Sequence, residues 1–242
     1  MRKTKTLICF IIFGLGSLAM SVAVLPLLWL FVWNGRNRRL IFAYCIKTSW
    51  SFFRWIMESL GLIGVSISNE DQQILSSVSS TIIAANHLSL IDVIIIASLT
   101  NRPTGITKGR LSSNMLLRFI LSNGFIRNDG GPGELISRSA AAISEGCNLI
   151  VFPEGTRGGG KLQRGTAHIA LESMADILAL KIDMSAPMLR KGRGWRDAGD
   201  RRAVYGISIK TRLNPKEIMD PAKNRNINAR KITALIEEAL GQ

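Results

Sequence analysis

Apolar and polar positions alternate with different periods along the chain. From Leu7 to Trp33 no residue is charged, with MRKTK before the run and NGRNRR after it. As a helix the run would be roughly 40 Å long, against about 30 Å for a hydrocarbon core, so it predicts a membrane-embedded segment. A cleaved leader is the rival reading, with small residues Ser21 and Ala23 at the cut. The apolar core of a leader usually runs to about 7–15 residues, whereas VLPLLWLFVW would continue past this cut. Arg2, Lys3 and Lys5 on one flank balance Arg36, Arg38 and Arg39 on the other, so the cytoplasmic preference of basic flanks gives no orientation. Gly14, Gly16 and Pro26 allow a bent path; spanning and re-entrant courses both stand.

Residues 40–60, LIFAYCIKTSWSFFRWIMESL, change character. Lys47, Ser51, Arg54 and Glu58 recur at helical spacing, while Phe52, Phe53, Trp55, Ile56 and Leu60 fill much of the remaining circumference. This predicts an amphipathic helix suited to a lipid interface; the same pattern also packs against a soluble core, and the neighbouring apolar run favours the interface. From residue 80 onward short apolar runs alternate with helical patterns. Strands are expected at 81–85, 104–108, 124–127, 148–152, 181–189 and 203–213, and helices at 92–99, 110–122, 133–146, 164–180 and 226–240. Such alternation implies an α/β fold with a mixed, largely parallel sheet flanked by helices. The expected division is a membrane segment with an interfacial helix over 1–66 and an α/β domain over 67–242.

Composition narrows the partners. Of 242 residues, 31 are Lys or Arg and 17 Asp or Glu, a formal charge of +14. A basic surface beside an anionic leaflet gains about 1 kcal/mol per cation, and it attracts acidic substrates and carrier proteins. Nucleic acid is not expected, since neither zinc spacing nor a stacking-aromatic motif is present. The cysteines, Cys9, Cys45 and Cys147, are scattered and odd in number, which points to a reducing compartment without a disulfide framework or metal site.

Candidate chemistry concentrates in a few short stretches. Gly155 to Lys161 runs G-x-x-x-x-G-K, yet Leu162 stands where a phosphate loop needs Ser or Thr for Mg²⁺. The other parse of the same stretch, FPEGTR at 152–157, puts a carboxylate and a guanidinium just past a strand, at the edge where open α/β sheets bind ligands. Arg157 suits bidentate phosphate binding, and Glu154 suits substrate hydroxyls. His87 lies in ANHLSLID after the first strand of this region. In a continuous helix His87 and Asp92 would point about 140° apart. Ser89 followed by Asp92 reads as a helix cap, however, which would leave His87 on the incoming chain and let Asp92 reach back to it. A carboxylate on one ring nitrogen fixes the tautomer of a general base; a histidine that merely bonds loop backbone is the bland alternative. His168, within a helical pattern, reads as structural.

NHLSLID at 86–92 and FPEGTR at 152–157 resemble the first and third motif blocks of the 1-acyl-glycerol-3-phosphate acyltransferases, a glycerolipid and lysophospholipid acyltransferase family. The similarity runs from about residue 80 to 190. The stretch around Lys108 and GFIRND at 124–129 resembles the second block, APM at 186–188 the fourth, and the segment before residue 60 is similar to the helices that seat such enzymes in one leaflet. The resemblance implies that His87, oriented by Asp92, activates an acceptor hydroxyl for direct attack on the thioester of acyl-CoA or an acyl-carrier protein, with no metal or other cofactor. It implies that Arg157 with Lys108 or Arg127 holds a phosphate, that Glu154, Gly155 and Thr156 line the acceptor site, and that Asn86 shapes the turn. The implied partners are membrane lipids and a lysophospholipid acceptor, at the cytoplasmic face of the cell membrane. Arg127 is followed by Asn128 before Asp129, and Ala186 and Met188 flank Pro187. Acceptor and chain-length preference can differ there, so a lyso-aminolipid acceptor stays open, as does a non-catalytic lipid-binding module of the same fold.

Overall fold

The computed structural model describes residues 1–108 and 125–241. The helix expected at 110–122 and Gly124, at the head of the expected 124–127 strand, lie outside the described residues. Helix α1, Arg2–Ala19, passes through a π-helical turn at Met20–Val24 into α2, Leu25–Phe31. Pro26 accounts for the wide turn, because it has no N–H for the Val22 carbonyl and its ring crowds that oxygen. Asn34 caps α3, Gly35–Ser59, by accepting from the Asn37 N–H at 3.2 Å.

The remaining elements are β1 (Ile63–Ile67), α4 (Asn69–Ser77), β2 (Ile82–Ala85), α5 (Asp92–Leu99), β3 (Pro103–Lys108), β4 (Ile126–Asn128) and α6 (Pro132–Ser144). Then come β5 (Asn148–Val151), α7 (Gly165–Ser173), β6 (Ile177–Met184), β7 (Ala203–Leu213), α8 (Pro215–Ile218) and α9 (Arg225–Leu240). The strands form one sheet in the order β1-β7-β6-β2-β5-β3-β4. Strands β6, β2, β5, β3 and β4 run parallel; β7 is antiparallel to β6, and β1 is parallel to β7. The sheet is mixed and mostly parallel, as the alternation implied.

Side chains alternate across the strands and divide the core in two. Ile83, Ala85, Leu178, Leu180 and Tyr205 face α5, α3 and α1, whereas Ile82, Ala84, Leu149, Val151 and Ile177 face α6, α7 and α9. β6 is buried from Ile177 through Leu180, and its apolar run explains one misreading. The helix expected over 164–180 ends at Ser173, where Met174 takes a left-handed conformation (φ 50°, ψ 29°). Ile177–Leu180 is instead the first half of β6, because a strand buried on both faces has no polar alternation to mark it. The strand expected at 181–189 accordingly starts and ends earlier. β1 and α4 had no counterpart in the sequence reading, and β1 crosses residue 66.

Arg2–Phe31 is long and apolar enough to cross a membrane by length and composition. Both of its ends are tied to the α/β domain. Arg2 donates to the carbonyls of Gly61, Leu62, Ala198 and Gly199, and Lys5 to that of Leu60 at 2.9 Å. Beyond the other end, Arg36 donates to the Glu145 carbonyl and Arg39 pairs with the Glu145 carboxylate. Gly61 and Gly199 precede β1 and β7, at the edge where β2 and β6 finish; Glu145 precedes β5, at the opposite edge. The apolar segment therefore runs down the length of one face and α3 returns along it. Cys9, Phe53 and Met57 insert into the core beneath, while Ile11, Leu15, Trp29, Leu30, Phe31, Phe52 and Trp55 remain exposed on the outer surface.

Candidate functional site

The carboxyl end of β2 feeds directly into the candidate site. Asn86 is buried, and its side-chain amide pairs with Ile182 of β6, donating to O at 2.9 Å and accepting from N at 2.7 Å. The strand pairing is thereby extended one residue beyond β2, and the chain turns at a fixed point. Implied as part of the substrate site, Asn86 has its amide committed to this turn.

His87 Nδ1 lies 2.9 Å from Asp92 Oδ2. Asp92 is fully buried, at 0% exposure, and a carboxylate there must be hydrogen-bonded to persist. Its Oδ2 also accepts from the N–H groups of Leu88 (2.6 Å) and Ser89 (2.7 Å), and its Oδ1 accepts from the Ser89 hydroxyl. Because the carboxylate only accepts, the neutral imidazole has its proton on Nδ1 and its lone pair on Nε2. The fold-back expected from the sequence is present, but by a different device. α5 begins after Ile91 without a side-chain cap, and Ser89, expected to cap it, instead donates to Asp92. The 87–92 turn is organised around the acid.

The imidazole is 18% exposed and stacks on Phe152, with ring centroids 4.0 Å apart and planes 17° apart. Phe152 follows β5, so neighbouring strands deliver the two rings. The Gly158 N–H donates to the His87 carbonyl at 2.9 Å, and the Gly159 N–H to Glu154 Oε2 at 3.1 Å. Glu154 is buried, and its carboxylate closes this loop. Gly155 turns the chain at φ +67°, a conformation that residues with a side chain rarely adopt, so the 154–157 turn favours glycine. Thr156 lies beside it, half-buried. Arg157 Nη1 reaches the Leu189 carbonyl at 3.5 Å, and the Leu90 N–H donates to that same oxygen. A single carbonyl thus links the two candidate stretches. The loop that carries it is closed by Arg190 and Asp197, whose charged hydrogen bonds measure 2.8 and 2.9 Å; the Arg190 guanidinium holds the Asp197 carboxyl down at about 2.

Residues 66–183 match the family model described as Acyltransferase. They form an acyltransferase-family domain. The matched span contains β2, β5 and both candidate stretches. The whole chain also aligns with the crystal structure of the 1-acyl-sn-glycerophosphate (LPA) acyltransferase PlsC from Thermotoga maritima, at 17% sequence identity and a TM-score of 0.66, covering 100% of this chain and 99% of that one. At that identity the likeness is one of fold, and it includes the N-terminal helices. Comparison with curated protein sequences returns no match.

Two further basic residues implied for the site lie toward the far edge of the acyltransferase domain's sheet. Lys108 ends β3, in register with Asn128. Arg127 is on edge strand β4, three strands from β2 in the sheet order, a separation of about 14 Å, and it is ion-paired with Asp129. His168 sits on α7, which packs on the other face of the sheet from α5, and burial together with Arg225 and Arg164 lowers its pKa. Sequence reasoning missed Phe152 as the ring beneath His87, although the residue stood in the block it had singled out. It also missed the Leu189 carbonyl, which has no side-chain signal.

Proposed function

We propose that the protein is a membrane-seated O-acyltransferase that moves a fatty acyl group from a thioester donor, acyl-CoA or an acyl-carrier protein, to the free hydroxyl of a lysophospholipid. The first candidate reaction converts 1-acyl-glycerol-3-phosphate to phosphatidate. The observation that carries this reading is the 2.9 Å contact between His87 Nδ1 and the buried Asp92. His87 Nε2 takes the proton of the acceptor hydroxyl as its oxygen attacks the thioester carbonyl. Asp92 holds the ring and stabilises the imidazolium. The tetrahedral intermediate collapses with loss of the thiolate, which receives the proton from Nε2, and the enzyme returns to its starting state. So drawn, the reaction uses neither a covalent enzyme intermediate nor a metal.

Arg157, at the mouth of the same edge, supports a phosphate-bearing acceptor, with Lys108 and Arg127 as further cations along it. Glu154, Gly155 and Thr156 hold the turn that presents Arg157. The exposed apolar face of α1, α2 and α3 would lie in one leaflet as a re-entrant hairpin, because both of its ends are tied to the domain. Arg190, Lys191, Arg193 and Arg196, on the loop linking the site to α1, would then meet anionic headgroups at the cytoplasmic surface, where both donors are found. The test is incubation of membranes with labelled acyl-CoA and acyl-carrier protein against a panel of lysolipids. The expected result is one favoured acceptor acylated by the native protein and not by His87→Ala; turnover in that variant would overturn the assignment.

A further inference from the structure

Beyond the His87–Asp92 pair, a buried hydroxyl chain reaches the acid from the far side. Tyr205 lies on β7, between Met184 of β6 and Val65 of β1 in register, and is 0% exposed. Its Oη lies 3.1 Å from Ser89 Oγ, and Ser89, also 0% exposed, bonds Asp92 Oδ1. The proton directions follow from the chemistry. Asp92 can only accept, so the one hydroxyl proton of Ser89 points to Oδ1. A lone pair on Ser89 is then left for the Tyr205 proton. Burial, with the Asp92 carboxylate adding to it and the Ser89 hydrogen bond opposing, pushes the phenol above its usual range, so Tyr205 stays a donor at any working pH. The chain runs one way, from Tyr205 to Ser89 to Asp92.

We propose that Tyr205 is a positioning residue for the candidate base. By fixing the rotor of the Ser89 hydroxyl it holds Oδ1 of Asp92, and so keeps Oδ2 against His87 Nδ1. The Leu88 and Ser89 N–H groups hold Oδ2, and the Ser89 hydroxyl sets the carboxylate plane through Oδ1; a part-turn of that plane would carry Oδ2 off the line to Nδ1 and free the imidazole to tip. Tyr205 and Ser89 are 116 residues apart in sequence, and Tyr205 lies outside the matched family span of 66–183. The inference rests on the reading of His87 as the base.

The test is a double-mutant cycle on the full-length protein in detergent or vesicles, with Tyr205→Phe and Ser89→Ala alone and together. Tyr205→Phe removes only the hydroxyl. It is expected to lower kcat about tenfold, leave the acceptor KM within about twofold, and shift the proton resonance of His87 Nδ1–H in the substrate-free protein. In the Ser89→Ala background the same change should have no further effect on kcat, since the phenol acts through that hydroxyl. Equal losses in both backgrounds, or native kcat with an unmoved resonance in Tyr205→Phe, would overturn the proposal. If Tyr205→Phe does not fold, Ser89→Ala decides alone: its Nδ1–H resonance must shift and its kcat must fall. A dead His87→Ala beside a native-like Tyr205→Phe rejects only the relay, whereas an active His87→Ala rejects the base itself.

Discussion

The two histidines of this chain occupy opposite electrostatic settings, and the contrast shows how little residue type alone assigns chemistry. His87 faces a buried carboxylate, lies on an aromatic ring and opens to the edge where the parallel strands end. His168 is half-buried among cations, with Arg225 donating to its carbonyl at 3.0 Å and Arg164 one turn before it. Anionic support prepares an imidazole to accept a proton in the course of a reaction. Cationic neighbours and burial oppose protonation, and the depressed pKa of His168 carries that mark.

Substitutions can break this contrast in order of expected effect. His87→Ala should reduce acyl transfer by about 10²–10⁴-fold, the usual contribution of a positioned general base, while acceptor binding measured on vesicles changes little. Asp92→Asn should approach the same loss, because an amide cannot accept all of the bonds now made to the carboxylate. It should also lower the Tm, since buried donors lose their partner; native Tm together with native kcat would mean that the acid orients nothing. Arg157→Ala should weaken use of a phosphate-bearing acceptor by about 10–100-fold in kcat/KM, from the loss of a charged hydrogen bond. A rise confined to the KM of the thioester donor would show that the two substrates are assigned to the wrong sides of the site.

His168→Gln makes the smallest prediction, with activity within about twofold of native. Its effect belongs to stability. The folded pKa of His168 is depressed below its ordinary 6.5, so the unfolded chain takes up a proton before the folded one does. The stability involved is intact above about pH 6.5 and declines as pH falls below it. Thermal melts between pH 7.5 and 5 should show a shallower acid decline for His168→Gln than for the native protein; parallel curves would contradict this.

Much of the architecture was legible because it depended on local pattern. Ile82–Ala85 and Asn148–Val151 announce themselves as short apolar runs bounded by polar and turn residues, and both are strands. The helix at Pro132–Ser144 was legible from its spacing. The same rule failed at Ile177–Leu180, where a strand flanked by β2 and β7 shows no alternation and follows a true helix without a break in hydrophobicity. β1 and α4 were missed between the interfacial pattern and the first strong strand. At the site, spacing alone set His87 and Asp92 apart, and their approach was read from a capping pattern at Ser89; the contact is present, but the Ser89 hydroxyl goes to the acid.

By itself the sequence determined the residue types, the alternation that makes a layered α/β fold, the apolar N-terminal run and the two short stretches bearing His87, Asp92 and Arg157. Only the tertiary structure decided that the apolar run is tied to the domain at both ends, that Phe152 lies beneath His87, that one carbonyl of Leu189 joins both stretches, and that Tyr205 reaches Ser89. The division has a physical origin. Periodicity and turn chemistry act over a few residues and are written in order along the chain. Strand order and buried hydrogen bonds between distant residues follow from how whole elements exclude water together, and no short window of sequence contains that information.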